Sequence, residues 1–465
     1  MITRRLSLMA AALAAALCGA CAVQPAAPPH VEVPGNWSAV SPAPVAAALT
    51  SEWFRGFGSA ELDALISRSV RGNWDLQAAA ARVRQADARA RAAGAALLPE
   101  VSAGGNGVFY AGHSSNGTAT ETDYAGLLSA SYEIDFWGKN RAARLAASAQ
   151  REASESDRAV LALTTVTGVA NTYFQVVALR ERLELAKQTL QNTRQLLDIV
   201  EARRAAHLAT PVEVAQQRAL VAAAEIHVKE VEQQEAAQEA ALATLVGAMP
   251  GALAVGTAHL SDFQVPGVAA GLPAELLTRR PDIFSAEANL RAAHADLLQA
   301  RAAFFPTVTL TGNTGLQNPA VQAAVTTLTG LGPTLNVGAS VVQSIFNGGR
   351  LRAARDEAQG REEEMLAQYQ GAVLAALWDV ETALSAIEHL RKQDEAQQHS
   401  VAENESALAG AQARYRAGAG DFLAVIDAQR TLLAAREQWN QFQLERLVAT
   451  VGLCKALGGG WVQEK

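Results

Sequence analysis

The sequence is poor in cysteine and in aromatic residues. It has three cysteines in 465 residues, and aromatic side chains make up only 5% of the chain. Two of the cysteines, Cys18 and Cys21, lie close to the N-terminus, which leaves Cys454 as a lone thiol in the remaining chain. A lone thiol cannot form an intrachain disulfide. A disulfide-dependent fold is therefore excluded, and we expect Cys454 to be a small core residue.

Signatures of catalysis and of nucleic-acid binding are also missing. The eight histidines are scattered without metal-ligand spacing, and the chain contains no P-loop, nucleophile elbow or dinucleotide fingerprint. The formal net charge is -7, which does not favour binding to nucleic acid. We therefore expect no enzyme activity, no cofactor, no metal site and no nucleic-acid partner.

Long hydrophobic runs are missing after the first 21 residues. A membrane-spanning helix needs about 20 consecutive apolar residues, and no later run in the sequence approaches that length. Only helices and closed barrels satisfy the backbone within lipid. If this chain crosses a membrane, we therefore expect it to do so as β-strands.

The N-terminus has the organisation of a secretory signal. A pair of arginines precedes the apolar run Leu6–Leu17, and small residues lie before Cys21. The segment resembles a bacterial lipobox, although Cys18 stands where leucine is usual. We expect a lipoprotein signal peptide at 1–20, and a lipidated N-terminus with a Pro/Ala-rich tether at 21–52. The alternative is a plain signal peptide with an incidental cysteine.

The rest of the chain reads as a tandem duplication. The Leu-Leu-Pro run at Leu97 is matched by the Phe-Phe-Pro run at Phe304, 207 positions later. Arg204 and the alanine after it are matched by Arg416 and its alanine, 212 positions later. The slow drift of the offset indicates small insertions within a duplication. The predicted repeats span 53–265 and 266–465.

Each repeat begins with short helices and ends in a pair of very long ones. Leu366, Tyr369 and Val373 belong to an apolar pattern with steps of three and four, which is typical of one helix face. A helix of roughly 65 residues would be roughly 100 Å long, so each pair must project from any globular body. The predicted long helices span about 139–206, 211–246, 349–416 and 421–457.

Two short strands precede each helix pair, at about 100–110 and 124–136, and at about 306–314 and 334–345. Apolar and polar residues alternate in them, as in membrane barrels with an apolar outside and a polar inside. Any half-buried sheet gives the same alternation. Barrels need at least about eight strands, so four strands require oligomerisation, and both twofold and threefold closure remain open.

Several motifs recur in the order of one known family. The longest runs from Gly271 to Ile283 and is followed by Phe305–Gly312, and two shorter ones lie at Tyr132–Gly138 and Ala428–Leu432. Together they resemble the motifs of the TolC-like outer-membrane factors, in their efflux lipoprotein branch. The resemblance implies a mainly α fold with a membrane β-barrel portion. Three chains would form a 12-strand β-barrel continued by a 12-helix α-barrel.

The resemblance implies a passive exit duct for drugs or other small molecules in a tripartite multidrug efflux system. The chain would be lipid-anchored in the outer membrane of a Gram-negative bacterium and extend into the periplasm. Implied partners are two further copies of the chain, outer-membrane lipid, a periplasmic adaptor (membrane fusion) protein and a proton-driven inner-membrane pump. The alternatives are a type I protein-secretion duct and a coiled-coil lipoprotein scaffold without a pore.

The turns between the paired helices are, by this resemblance, the periplasmic gate and the adaptor contact. Thr210 and Pro211 are suited to start the return helix, with Glu213 closing a capping box. Asp421 either lines the mouth or caps the second return helix. Arg416 either ties the tips together by an ion pair or is solvated. The expected tip residues are Arg204, Thr210, Pro211, Arg416, Gly418, Gly420 and Asp421.

Two acidic residues mark the predicted inside of the barrel. Glu133 and Asp135 fall on the polar face of the predicted strand 124–136. We expect both carboxylates to face the lumen, where they either tune ion preference or simply occupy a wet wall. The motif at Arg279–Asp282 is expected to start the following helix, with proline at its first position.

Overall fold

The computed structural model describes residues 32–38, 49–114, 117–316 and 334–461. The predicted signal peptide at 1–20 and the predicted lipidation site Cys21 lie outside the described residues. The described chain is mainly helical and contains one four-stranded antiparallel sheet. This architecture confirms the predicted fold class at the level of a mainly α chain with four strands.

The elements follow the same order in each half of the chain. The first half contains α1 (Ala60–Gly72), α2 (Trp74–Ala95), β1 (Glu100–Ser114), β2 (Gly117–Ile134), α3 (Lys139–Ala205) and α4 (Pro211–Leu245). The second half contains α5 (Pro281–Ala302), β3 (Thr307–Leu316), β4 (Thr334–Val342), α6 (Arg350–Arg416) and α7 (Phe422–Ala456). Short 3-10 helices lie at Trp53–Phe57, Leu260–Asp262 and Pro273–Thr278.

The described chain forms two compact units, and each unit draws on both halves of the sequence. One, the strand unit, contains residues 82–114, 117–155, 285–316 and 334–370. The other, the helical unit, contains residues 156–284 and 371–461 together with 32–38 and 49–81. The sequence repeats are therefore not the packing units, because equivalent segments of the two halves pack together.

The sheet of the strand unit has one polar and one apolar face. Its strand order is β1-β2-β3-β4, so β1 and β4 are its edges. Directly opposed residues of antiparallel strands share a face, and the register aligns them by polarity. One polar row consists of Ser102, Ser129, Asn313 and Asn336. The neighbouring apolar row consists of Val101, Ala130, Gly312 and Val337.

The core of the helical unit is built around a group of aromatic side chains. Tyr173 and Phe174 of α3 are fully buried, and their rings contact Phe263 at centroid distances of 5.8 and 5.0 Å. The Tyr173 hydroxyl donates a hydrogen bond of 2.8 Å to Glu61. α3 therefore crosses the core with its aromatic side inward.

One stretch of α3 corrects the expectation that no later part of the sequence is long and apolar enough to span a membrane as a helix. In the described chain, α3 contains a window that is long and apolar enough to span a bilayer, by length and composition alone. Nearly half of that window is buried inside the protein. Val169, Tyr173 and Val177 of α3 belong to the aromatic core. The hydrophobicity of this stretch is thus explained by packing within the helical unit.

Arg280, from the motif at the start of α5, is a buried clamp. Its guanidinium bonds the Asp282 carboxylate at 2.6 Å, the Asp379 carboxylate at 3.0 Å and the carbonyl of Ala456 at 3.0 Å. Pro281 is the first residue of α5. The motif both starts the helix and ties it to α6 and α7.

The two long helix pairs carry ion pairs at equivalent positions but with opposite polarity. In the first pair, Arg194 of α3 lies 2.7 Å from Glu225 of α4. In the second, Glu405 of α6 bonds Arg436 of α7. A separation of 211 positions relates Arg194 to Glu405 and also Glu225 to Arg436. The duplication has kept the bridge and exchanged its charges.

Candidate functional site at the helical tips

The tip of the first helix pair is a tight turn closed at both ends by hydrogen bonds. Leu208 N–H donates to the Arg203 carbonyl at 2.8 Å and His207 N–H donates to the Arg204 carbonyl at 3.0 Å. This is the Schellman pattern, and it places His207 at φ 60, in the left-handed region that favours glycine. The backbone of this tip is consequently strained at one residue.

The return helix of this first tip starts as the sequence predicts for a capping box. Glu213 N–H donates to Thr210 Oγ1 at 3.2 Å, while Thr210 N–H donates to the Glu213 carboxylate at 2.6 Å. Pro211 is the first residue of α4, where its missing N–H leaves no bond unmade. These contacts give Thr210 and Pro211 a structural role whatever else the tip does.

The second tip repeats the turn with glycine in the strained position. Gly418, at φ 71, donates to the Tyr415 carbonyl at 3.0 Å, and Ala419 N–H donates to the Arg414 carbonyl at 2.9 Å. A Cβ at Gly420 would lie 3.0 Å from Arg414 Cβ. Both glycines are therefore set by the geometry of the reversal.

Asp421 occupies the position before the return helix of the second tip. Its carboxylate accepts a hydrogen bond of 3.2 Å from Leu423 N–H, and its side chain remains exposed. This hydrogen bond supports the interpretation of Asp421 as a helix cap. Its role in a gate stays a prediction, since a cap leaves the second carboxylate oxygen free to face solvent.

The arginine that joins the two tips is not Arg416, for which the sequence left an ion pair or a solvated position open. Arg204 and Arg416 are both exposed at the ends of their helices. Arg203 instead donates from Nη1 to the Tyr415 carbonyl at 3.1 Å, and its guanidinium lies 4.5 Å from the centre of the Tyr415 ring. The tips are therefore held by a hydrogen bond and a cation–π contact between α3 and α6.

The contact between Arg203 and Tyr415 is buried and incompletely satisfied. Tyr415 is 3% exposed and its ring packs on Phe422 at a centroid distance of 5.2 Å. Within the described chain, the Tyr415 hydroxyl and Arg203 Nε are buried without a hydrogen-bond partner. The pKa of the Tyr415 phenol is raised, mainly by burial. The charge of Arg203 lowers this pKa and the charge of Glu213 raises it. A buried polar group without a partner costs about 1–3 kcal/mol, so this contact is less stable than a fully bonded one would be.

Three large apolar side chains remain exposed at the tips. Leu208 is 67% exposed, Val212 62% and Leu423 61%. They flank the turns of both helix pairs, beside a packed cluster that includes Val200 and Phe422. An exposed apolar group beside a rigid turn is suited to contact another protein.

Sequence reasoning missed Arg203 and Tyr415, and the duplication does not point to them. The two turns are related by 211 positions, so the structural equivalent of Arg203 is Arg414 and that of Arg204 is Tyr415. The contact therefore joins non-equivalent positions of the two repeats.

The predicted lumen residues lie where the sheet passes into α3. Glu133 is near the end of β2 and its carboxylate lies 2.6 Å from Lys139 Nζ. Asp135 lies just after β2 instead of within it, and accepts hydrogen bonds from the N–H groups of Asn140 at 3.1 Å and Arg141 at 2.9 Å. Asp135 is therefore committed to the start of α3, and its predicted position on a strand face is corrected.

Comparison with known proteins gives consistent matches over nearly the whole chain. The sequence model of the family described as outer membrane efflux protein matches residues 65–248 and 272–459. The pyoverdine export outer membrane protein OpmQ of Pseudomonas aeruginosa is 43% identical over 475 aligned positions, covering 100% of this chain and 98% of that protein. The cation efflux system protein CusC of Escherichia coli is 30% identical, covering 88% of each chain.

Solved structures are similar over the same extent. The open-state MtrE outer membrane channel of Neisseria gonorrhoeae is 29% identical, with a TM-score of 0.83, and the match covers 95% of this chain and 98% of that one. A crystal structure of CusC is 28% identical, with a TM-score of 0.81, covering 93% of this chain and 99% of that one.

Proposed function

Because this chain belongs to the outer membrane efflux protein family, we propose that three copies form the passive exit duct of a tripartite efflux system. The observation that carries the proposal is the two-faced sheet with two open edges. An apolar face suits lipid and a polar face suits water, but open edges are not tolerated in a bilayer. Three copies supply twelve strands and remove the edges.

The family membership favours this duct over a lipoprotein scaffold without a pore. A scaffold would use the sheet as a private soluble core, with its apolar row covered by other parts of the chain. Val337 is instead 79% exposed and Leu335 73% exposed. These side chains need a partner outside the chain, and outer-membrane lipid is the partner of matching chemistry.

The cargo we propose is a small organic molecule, and pyoverdine is the compound to test. OpmQ, which aligns with the whole of this chain, is named for pyoverdine export. The duct itself is expected to select poorly, so an adaptor protein and an inner-membrane pump would choose the cargo and supply the energy. In a strain that lacks the gene, we expect the exported compound to accumulate in the periplasm and to be depleted from the medium.

Channel formation is tested with purified protein in planar bilayers. Detergent-purified full-length protein should run as a heat-dissociable trimer on gels and give stepwise ion conductance after reconstitution. A monomer that remains soluble without detergent and gives no conductance would support the scaffold and overturn the duct.

The tips of the helix pairs form the closed mouth of this duct and the surface that meets the adaptor. The Arg203–Tyr415 contact supports the first role, because it joins the two helix pairs of one chain at their ends. The exposed Leu208, Val212 and Leu423 support the second. Asp421 caps its helix and also presents a carboxylate at the mouth, where three copies would favour cations.

Loss of the tip contact should open the mouth. A hydrogen bond from a charged donor contributes about 1.5–3 kcal/mol, and about 1.4 kcal/mol changes an equilibrium tenfold. Arg203→Ala should therefore raise the open population at least tenfold, measured as higher conductance and greater entry of large antibiotics into cells. Arg204→Ala, at the exposed neighbouring position, is the matched control. Equal conductance for both variants would contradict the role of Arg203 in the gate.

A further inference from the structure

The edge strands of the sheet are each continued by a helix that has an exposed side. α2 leads into β1, and α6 follows β4. β1 and β4 are the outer strands of the sheet. When copies close the barrel by pairing β1 with β4 of the next copy, α2 of one copy must lie beside α6 of the next. The exposed sides of these two helices then meet.

The exposed side of α2 is a strip of two alanines and one glutamine between two rows of arginine. Gln85, Ala88 and Ala92 are exposed and fall on one side of the helix. The opposite side carries Gly94, where a Cβ would lie 3.8 Å from the Arg144 side chain of α3. The rows, each with members seven positions apart, are Arg82 with Arg89 and Arg84 with Arg91.

The exposed side of α6 has the same form with the opposite charge. Ala353, Gly360 and Ala367 are exposed at intervals of seven, and a Cβ at Gly360 would meet no atom within 4 Å. The other side of α6 is occupied within the chain, where Glu362 lies 2.6 Å from His294 Nδ1 of α5. The acidic rows are Glu357 with Glu364 and Asp356 with Glu363.

The chain contains a template for this joint in the contact between α3 and α5. By the duplication, α5 corresponds to α2 and α3 corresponds to α6, so the contact between α3 and α5 is the repeat-equivalent of the joint between copies. It joins Arg291 to Glu152 at 2.8 Å. The helices start 207 positions apart for α5 and α2 and 211 apart for α3 and α6, so this pair corresponds to Arg84 facing Glu363 in the joint. The buried alanines of residues 139–155 of α3 and of α5 are Ala142, Ala146, Ala149, Ala153, Ala288, Ala292, Ala293, Ala295 and Ala302.

We propose that α2 of one copy packs antiparallel on α6 of the next as a charge zipper, with Arg89 facing Glu357 and Arg82 facing Glu364. The depth of the residues below the sheet sets this register. Arg89 lies about 9 Å before the end of α2 and Glu357 about 10 Å after the start of α6. Arg82 and Glu364 lie at about 20 and 21 Å on the same measure. The small residues between the rows let the helices approach.

The zipper rests on the proposed trimeric duct and explains how its copies recognise one another. Arg82 and Arg89 have no ion-pair partner within the described chain, although each is a full charge next to a strip suited to packing. Each joint pairs α2 of one copy with α6 of the next copy, so every chain carries both halves of the zipper. A joint of this kind can close into a ring.

Charge reversal with rescue tests the zipper in the full-length protein. R82E/R89E and E357R/E364R should each lose the trimer band in detergent, because like charges then face each other at every joint. The variant that carries all four substitutions should recover the band, since the pairs re-form with exchanged signs. R68E/R71E makes the same charge change at exposed positions of α1 and should keep the trimer.

Co-expression of the two double variants adds an arm that depends on the number of copies. Matched charges then form only between unlike chains, and a ring of three cannot alternate two kinds of chain. At least one of three joints stays mismatched, so the trimer should recover only in part. Complete recovery in this arm would overturn a threefold zipper.

The outcomes separate the zipper from the function on which it rests. Wild-type trimers together with undiminished trimers in both double variants would overturn the zipper and leave the duct standing. Loss of the band in the fourfold variant, with an unchanged far-ultraviolet circular dichroism spectrum, would also overturn it. A wild-type protein that is monomeric and non-conducting would overturn the proposed function itself.

Discussion

A lysine placed in the apolar row of the sheet should abolish assembly, whereas a lysine at the next residue should not. Val337 and Asn336 are neighbours on β4, so their side chains project to opposite faces. Val337 is aligned with Gly312 in the apolar row and Asn336 with Asn313 in the polar row. The two variants Val337→Lys and Asn336→Lys add the same charge to the same strand.

The size of the effect follows from the position of Val337 beside the centre of β4. A lysine on the lipid face near the middle of the bilayer costs about 2–4 kcal/mol. Three copies would incur about 6–12 kcal/mol together. Since about 1.4 kcal/mol corresponds to a factor of ten, the inserted trimer should fall at least ten-thousandfold. Asn336→Lys places its charge in water and should cost little.

Membrane fractionation and gel mobility of the unheated protein measure this difference. Val337→Lys should be lost from the outer-membrane fraction as trimer, while Asn336→Lys should be recovered there at the wild-type level. The assignment of faces would be refuted if the two variants behaved alike, or if Asn336→Lys alone failed to assemble.

Three further outcomes concern single sites. His207→Gly should stabilise the protein and Gly418→Ala destabilise it, each by about 1 kcal/mol in thermal unfolding, because the left-handed backbone costs glycine less than any residue with a Cβ; equal melting temperatures would contradict this. Burial raises the pKa of Cys454 to about 12, so iodoacetamide at neutral pH should modify it only after denaturation. Burial also raises the pKa of Tyr173 to about 12, above the unfolded value of about 10. Its neutral phenol therefore stabilises the fold fully below about pH 10, and this contribution is lost towards pH 12. A titration of phenolate absorbance should show a late step that Tyr173→Phe removes.

The long helices and the four strands could be read from side-chain periodicity. Apolar residues at steps of three and four marked α6, the duplication extended this prediction to α3, and alternation marked the second half of β2. The start of β2 could not be found in this way. Residues 117–123 lack an alternating apolar pattern, and they are strand because their backbone pairs with β1 as far as Ser114. Backbone pairing leaves no trace in the side-chain pattern.

The tip site was only partly predictable. Local signals identified Thr210, Pro211 and the glycines, because caps and turns depend on residues close in sequence. The Arg203–Tyr415 contact depends on how two separate helix pairs meet, which periodicity does not contain. Asp135 was misplaced for a related reason, since a carboxylate after a strand can serve the next helix instead of the strand face.

The exchanged polarity of the ion pairs at Arg194–Glu225 and Glu405–Arg436 favours the pairing of each outgoing helix with its own return helix. An α3 that recruited α7 in place of α4 would set Arg194 against Arg436, and α6 with α4 would set Glu405 against Glu225. A chimera built from two copies of the first half would lose this discrimination, and its hairpins could shuffle partners while folding. Divergence of the two halves has thus made the charges of each outgoing helix complementary to those of its own return helix.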